Sequence, residues 1–158
     1  MLAFALVSLV CVALMIAVLN IAMQAYVHQS TLAQANGLVA QGAQIAMAVR
    51  IFRSDGHLLE EYVSSDRPSR LFTALRQQGY LKTIPVPYGG GDYQVMALDL
   101  VGREGALRRP STVVATSAEA SATLTDKLCQ EINRRHSDRF GCLKDPLRTG
   151  NLFWYLLG

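Results

Sequence analysis

The chain has 158 residues and a mass of 17.3 kDa, enough for one ordinary domain. Hydrophobic residues make up 51% of it and charged residues only 17%, and residues 1–49 contain no Lys, Arg, Asp or Glu. This division excludes a uniformly water-soluble globule, a disordered chain and a transporter with several spans. It indicates one very apolar segment joined to one small water-facing domain.

The net charge of +3, with a pI of about 8.9, is mildly basic. Nucleic-acid-binding proteins usually concentrate Lys and Arg into a patch or stripe. The two basic groups here, in residues 103–109 and 134–139, are short, and the second also contains Asp138. We therefore predict that both are solvated surface and that the chain has no specific nucleic-acid partner.

Residues 1–23 form an apolar run, MLAFALVSLVCVALMIAVLNIAM. About 20 such residues cross a hydrocarbon core of about 30 Å as a helix. A signal peptide would begin with basic residues, and a plain membrane anchor would carry Lys or Arg on its cytoplasmic side. Since neither pattern is present, we expect that a basic leader has been removed and that Met1 is the mature N-terminus. The alternative is that the numbering begins at an initiator methionine.

The helical pattern continues beyond this run and predicts one helix over residues 1–53, about 80 Å long. No Pro interrupts it, Ser54-Asp55-Gly56 ends it, and Gly37 and Gly42 are its predicted weak points. Its second half is too polar for lipid and too poor in charge for water, which suits burial against other helices. The predicted apolar face consists of Leu32, Ala35, Val39, Ala46, Val49 and Phe52.

Residues 54–158 predict a small head domain. The expected elements are one short helix and three strands, over residues 69–78, 92–101, 110–116 and 151–157. Thr116-Ser-Ala-Glu119 matches a capping box, so a further helix is expected to follow it and to end near His136. An antiparallel sheet lying on the second half of the long helix makes the predicted fold class α+β.

The cysteines predict one disulfide. Cys129 is expected on a helix and Cys142 in a loop after Gly141, and a small domain outside the cytoplasm favours their pairing. A reduced pair is one alternative, and a metal site that includes His136 is another, although no fourth ligand is suitably spaced. Cys11 lies in the apolar run and is expected to be a small packing residue.

The sequence contains no motif for catalysis. It has no nucleophile elbow, phosphate-binding loop or zinc-protease motif, and the glycines 89–91 lack the Lys and Ser or Thr of a P-loop. The Glu60-Glu61 pair is more typical of solvated surface than of an acid–base dyad. We predict that the chain is not an enzyme and that it has no catalytic residues, cofactor or metal.

Taken together, these features resemble the type IV pilins, and more closely their type IVb branch. The resemblance is carried by the start MLAFALVSLVCVALMIAVL, the uncharged continuation to Phe52, the segment LFTALRQQGYLKTIPVPYGGG and the late pair Cys129 and Cys142. It implies a pilin-like fold and a leader cut by a prepilin peptidase, with N-methylation of Met1. Pilins usually carry a glutamate at the fifth mature position, where this chain has Ala5.

The resemblance also implies where the chain is located in the cell and what it assembles into. The subunit would wait in the inner membrane and would then be drawn by pilus assembly machinery into an extracellular homo-oligomeric filament through residues 1–53. The filament would serve adhesion, conjugation or motility, and the cysteine pair would bound a loop exposed on its surface. Two other functions stay open: a minor pilin or pseudopilin at the tip of a secretion or pilus machine, and a single-pass anchored periplasmic module.

Overall fold

The structure, a computed structural model, describes residues 2–62, 70–88, 92–98, 111–116, 124–144 and 150–157. In chain order its elements are α1 (Leu2–Ser54), a short 3-10 turn (Leu59–Glu61), α2 (Arg70–Gln77), β1 (Tyr93–Leu98), β2 (Ser111–Thr116), α3 (Asp126–Asn133), β3 (Phe140–Lys144) and β4 (Asn151–Leu156). A long apolar N-terminal helix and a small antiparallel sheet confirm the predicted α+β class.

Helix α1 runs through 53 residues without a break, a length of about 80 Å. It passes through Gly37 and Gly42, where the sequence predicts weak points, and it ends one residue later than predicted. Both glycines instead face aromatic rings of the head. A Cβ atom at Gly42 would lie 2.6 Å from Cδ2 of Tyr155, and one at Gly37 would overlap the ring of Tyr88.

The head-facing side of α1 is a regular stripe in its second half. Its members recur at spacings of three and four and are buried: Ala35, Leu38, Gly42, Ile45, Val49 and Phe52. The predicted face is therefore rotated, because Leu32, Val39 and Ala46 lie half-buried at its border. Alanine occurs on every side of this helix, so the periodicity alone does not fix which side is covered.

The four strands form one antiparallel sheet in the order β1-β2-β4-β3. The strands predicted over residues 92–101 and 110–116 and the helix predicted over residues 69–78 are confirmed as β1, β2 and α2; residues 69, 99–101 and 110 lie outside the described part. The apolar C-terminal strand is confirmed as well, and β4 is central, between β2 and β3. Strand β3 is not predicted by the sequence analysis, which places Cys142 in a loop.

The helix predicted to follow Thr116 is wrong in its start and its end. Thr116 is the last residue of β2, and α3 begins only at Asp126; residues 117–123 lie outside the described part. The observed cap is Thr125, whose hydroxyl accepts a hydrogen bond from the amide of Leu128 at 3.3 Å. The helix ends at Asn133, before His136, whose φ is 47°.

Candidate interaction surfaces of the long helix

The first half of α1 is exposed on every side. From Val7 to Gln29 all residues are exposed, and its large apolar side chains include Leu14 at 60% and Val18 at 64%. Among the described residues one helix is long and apolar enough to cross a membrane, and it is this one. A helix that is apolar all round needs cover on all sides, by lipid or by other helices.

The second half of α1 is fixed to the head by a polar junction as well as by the buried stripe. Gln41 donates from Nε2 to the carbonyl oxygen of Val86 at 3.0 Å, and its Oε1 accepts from the Tyr93 hydroxyl at 2.6 Å. Burial raises the pKa of Tyr93, so its hydroxyl stays a hydrogen-bond donor across the ordinary pH range. One side chain thus ties the proline-containing segment and β1 to the helix.

The end of α1 is held in an aromatic cluster. The Phe52 ring stacks on His57 with centroids 4.3 Å apart, and Tyr62 and Tyr80 meet it edge-on at 5.2 and 5.4 Å. The Tyr80 hydroxyl donates to Oδ2 of Asp55 at 2.5 Å, a bond that raises the pKa of Tyr80. These contacts fix the direction in which α1 enters the head.

The face of α1 opposite to the head is exposed, uncharged and built mostly from small residues, and we call it the outer stripe. No charged residue occurs between Ala33 and Met47, and the members of the stripe are Ala33, Asn36, Ala40, Ala43 and Met47. Small side chains allow the backbone of a neighbouring helix to approach closely, and an asparagine can donate a hydrogen bond across such a contact. The outer stripe continues the exposed uncharged surface of the first half along the same helix.

The structure joins Cys129 on α3 to Cys142 on β3 in a disulfide, with Cα atoms 5.2 Å apart. Asn133 supports the same junction, because its Oδ1 accepts from the Cys142 amide at 2.8 Å and its Nδ2 donates to the Cys142 carbonyl at 2.9 Å. The side chain thereby takes the hydrogen-bonding place of a further strand at the sheet edge. Sequence reasoning misses Asn133, since nothing local marks it as the partner of an edge strand.

The other predicted site residues lie apart from this junction. Met1 is outside the described residues, Ala5 belongs to α1, and Cys11 is an exposed free cysteine on the first half of that helix. Within the described ranges, no group of three or more His, Cys, Asp or Glu side chains is placed to hold a metal ion.

An open cleft of about 420 Å³ lies where α1 leaves the head, and we call it the junction cleft. Its α1 wall includes Met23, Val27 and His28, and its α3 wall includes Lys127, Glu131 and Arg134. A second groove, of about 540 Å³, shares Val27 and Lys127 with the junction cleft and is also lined by Tyr26 and Ser30.

Two charged pairs border this region of the head. Nζ of Lys144 lies 2.7 Å from Oδ1 of Asp126, and Nδ2 of the buried Asn151 donates to the same oxygen at 2.9 Å. These two hydrogen bonds, with the charge of Lys144, lower the pKa of Asp126. Nη1 of Arg134 lies 3.5 Å from Oε2 of Glu131. The α3 wall of the cleft therefore carries two cations: Arg134, which is loosely paired with Glu131, and Lys127, which has no ion pair in the part of the chain that the structure describes.

Comparison with protein-family models, with curated proteins and with solved structures finds no match to this chain.

Proposed function

We propose that this chain is a structural subunit of a type IVb-like pilus, with a pilin-like fold, held in the inner membrane before assembly and in an extracellular filament afterwards. The observation that carries the proposal is the division of α1 into two parts. Its first half is apolar and exposed on every side, while its second half presents the buried stripe to the head and the outer stripe to solvent.

Exposing the apolar first half of α1 to water costs a large amount of free energy. Thirteen large hydrophobic side chains between Val7 and Val27 are about half exposed or more. Each contributes about 1.5–3 kcal/mol when fully buried, so the segment favours burial by on the order of 20 kcal/mol. A single groove on a partner would cover one side only, whereas a bilayer or a bundle of like helices covers all sides.

The outer stripe favours the bundle over a plain anchor. Ala40 lies 17 residues beyond Met23, about 25 Å past the end of the apolar run. Lipid does not reach that height, and a water-facing helix would be expected to carry charge there. Small uncharged residues at this height are typical of close helix–helix packing, which supports assembly through α1.

The test is a charge placed on the outer stripe. Val39, although on the predicted apolar face, packs partly against the head core, so a charge there would also disturb the head. Ala40 is exposed, and Ala40→Asp is expected to abolish filaments because an unpaired charge buried between helices costs several kcal/mol. Electron microscopy of filaments sheared from cells, and protease resistance of the head, are the measurements.

Two variants serve as controls for this test. Ala40→Ser adds a small polar group without charge at the same position, and Thr83→Asp adds the same charge on an exposed loop of the head. Both are expected to assemble. Normal filaments from Ala40→Asp would refute the proposal and leave the single-pass anchored periplasmic module as the better account.

A second candidate function, a minor pilin or pseudopilin at a filament tip, is favoured by Ala5. No acidic residue precedes Asp55, so no carboxylate on α1 is available to pair with the N-terminal amine of a neighbour. A main subunit should gain little from Ala5→Glu, because its register depends on shape packing along the helix. A several-fold rise in filament yield from Ala5→Glu would instead identify the native chain as a poor self-assembler and support the tip function.

A further inference from the structure

The junction cleft lies at the level where the apolar run ends. Twenty residues of helix ending at Met23 cover about 30 Å, the thickness of a hydrocarbon core. Gln24 to Thr31 then occupy about the next 12 Å, and the lipid headgroup layer, roughly 5–8 Å on each side of the core, covers the first turn or so of them. When α1 spans a bilayer, the part of the α1 wall nearest to Met23 therefore stands among the headgroups, and α3 is the element of the described head that lines the cleft beside it.

The α3 wall of the cleft presents cations outward. Lys127 and Arg134 are seven residues apart and line the same cleft, and Lys127 has no ion pair among the described residues. The Arg134 side chain is 73% exposed, whereas that of Glu131 is only 17% exposed. Their separation of 3.5 Å makes a weak pair that leaves most of the guanidinium donors facing solvent.

The α1 wall of the cleft is apolar and exposed. Met23 is 66% and Val27 49% exposed, and the neighbouring Tyr26 is 75% exposed. An exposed tyrosine at the end of an apolar run is typical of a membrane–water interface. The cleft thus combines an apolar wall on α1, continuous with the apolar first half of that helix, and a cationic wall on α3.

We propose that the junction cleft binds the headgroup of an anionic phospholipid and so holds the head against the membrane before assembly. Lys127 and Arg134 donate to the phosphate, and the glycerol and upper acyl chain lie along Met23 and Val27. This inference rests on the membrane stage of the proposed function. It adds the chemical class of the lipid and the residues that contact it.

Charge complementarity favours a lipid over a second copy of the chain as the occupant. The occupant must offer an anion to Lys127 and Arg134 and an apolar part to Met23 and Val27. The apolar helix of another copy cannot supply the anion, because residues 1–49 contain no acidic residue. An anionic phospholipid carries both parts in one molecule, and guanidinium and ammonium groups are strong donors to phosphate.

The experiment uses the full chain in vesicles of equimolar phosphatidylcholine and phosphatidylglycerol. A trace of phosphatidylglycerol with a photoactivatable headgroup is crosslinked, and the labelled peptides are located by mass spectrometry. We expect label on residues 124–134 and on residues 23–31. The variant Lys127→Ser/Arg134→Ser should lose label there by a factor of about five for each cation removed.

Matched controls separate this site from general attraction of a basic head. Arg76→Ser/Lys82→Ser removes the same charge from two exposed positions that flank Tyr80. The Tyr80 hydroxyl bonds to Asp55, just beyond the end of α1 and roughly 40 Å along the helix from Val27 in the cleft. This control should label like the native chain. The charge-preserving variant Lys127→Arg/Arg134→Lys should also retain the label, and unlabelled phosphatidylglycerol should compete better than phosphatidylcholine.

The outcomes separate this inference from the proposed function. If the chain inserts into the vesicles and the Lys127→Ser/Arg134→Ser variant labels as strongly as the native chain, the lipid site is refuted while the filament proposal stands. If that variant keeps its label but no longer forms filaments in cells, the cleft is an interface between copies, which also overturns the inference. A chain that does not float with the vesicles refutes the membrane stage and this inference together.

Discussion

Alanine at Gly42 and at Gly37 should change the stability of the head in opposite directions. In a helix interior, Gly→Ala contributes about 1 kcal/mol of stability when the new methyl group has room. At Gly42 the Cβ atom would lie 2.6 Å from the Tyr155 ring, so that ring must retreat by about 0.8 Å to reach an ordinary contact of 3.4 Å. Tyr155 is 9% exposed, belongs to the central strand and stacks on Phe140 at 6.0 Å.

Because the Tyr155 ring is packed on several sides, it cannot move freely, and this determines how much stability Gly42→Ala costs. Inserting a methyl group into a well-packed core costs about 1–3 kcal/mol, so the net change for Gly42→Ala is a loss of about 0–2 kcal/mol. At Gly37 the obstructing ring belongs to Tyr88, which is 48% exposed and can rotate into solvent. Gly37→Ala is therefore expected to be neutral or to stabilise by up to about 1 kcal/mol.

Urea unfolding of the full chain in a mild detergent measures the difference. The single tryptophan, Trp154, lies next to Tyr155 in β4 and packs over Gly141, so its fluorescence reports on the sheet. With a urea dependence of about 1–3 kcal/mol per molar, Gly42→Ala should unfold at a midpoint about 1 M below that of Gly37→Ala. Equal midpoints, or a higher midpoint for Gly42→Ala, would show that the helix and the sheet are not packed as tightly as described.

Three further predictions concern other contacts of the head. Cys129→Ser should destabilise the head by about 3 kcal/mol, the loop-closure value for a separation of 13 residues, whereas Cys11→Ser should not; proteolysis and thiol titration of the purified protein check both. Because the pKa of Asp126 is lowered in the folded state, its contribution should be complete above about pH 4 and lost as pH falls through the lowered pKa; unfolding midpoints of Asp126→Asn should lack this acid-dependent step. Gln41→Leu should cost about 1–3 kcal/mol, because the buried Tyr93 hydroxyl loses its acceptor, and Tyr93→Phe should recover part of that loss in a double-mutant cycle.

The sequence predicts α1 well because composition decides it. A long apolar run without Pro, ended by Ser54-Asp55-Gly56, leaves few other conformations, and the observed end differs by one residue. The covered side is harder to predict, because Gly42 does not count as apolar although it is central to the buried stripe. Its role depends on Tyr155, which lies 113 positions later in the chain and is placed against the helix by β4.

Local signals fail where tertiary pairing outweighs them. The capping-box match at Thr116 is a valid local pattern, but that residue pairs with Tyr93 on one side and Phe153 on the other, and two sheet ladders outweigh one cap. Strand β3 is short and contains Gly141, so no alternation marks it. The junction cleft is beyond sequence reasoning, because it joins Val27 to Lys127, which are brought together only by the packing of α3 on α1.

The central place of β4 has a consequence for the order of events during synthesis. Residues 151–156 leave the ribosome after all the other described elements, yet both β2 and β3 need them as their partner. Until then β2 has an open edge, and Gly42 of α1 lacks the Tyr155 ring that packs against it. Such late, distant pairing is slow compared with helix formation. A ribosome stalled before residue 151 should therefore carry a chain with α1 already helical and its sheet still incomplete, open to proteases and to pairing with the wrong strand.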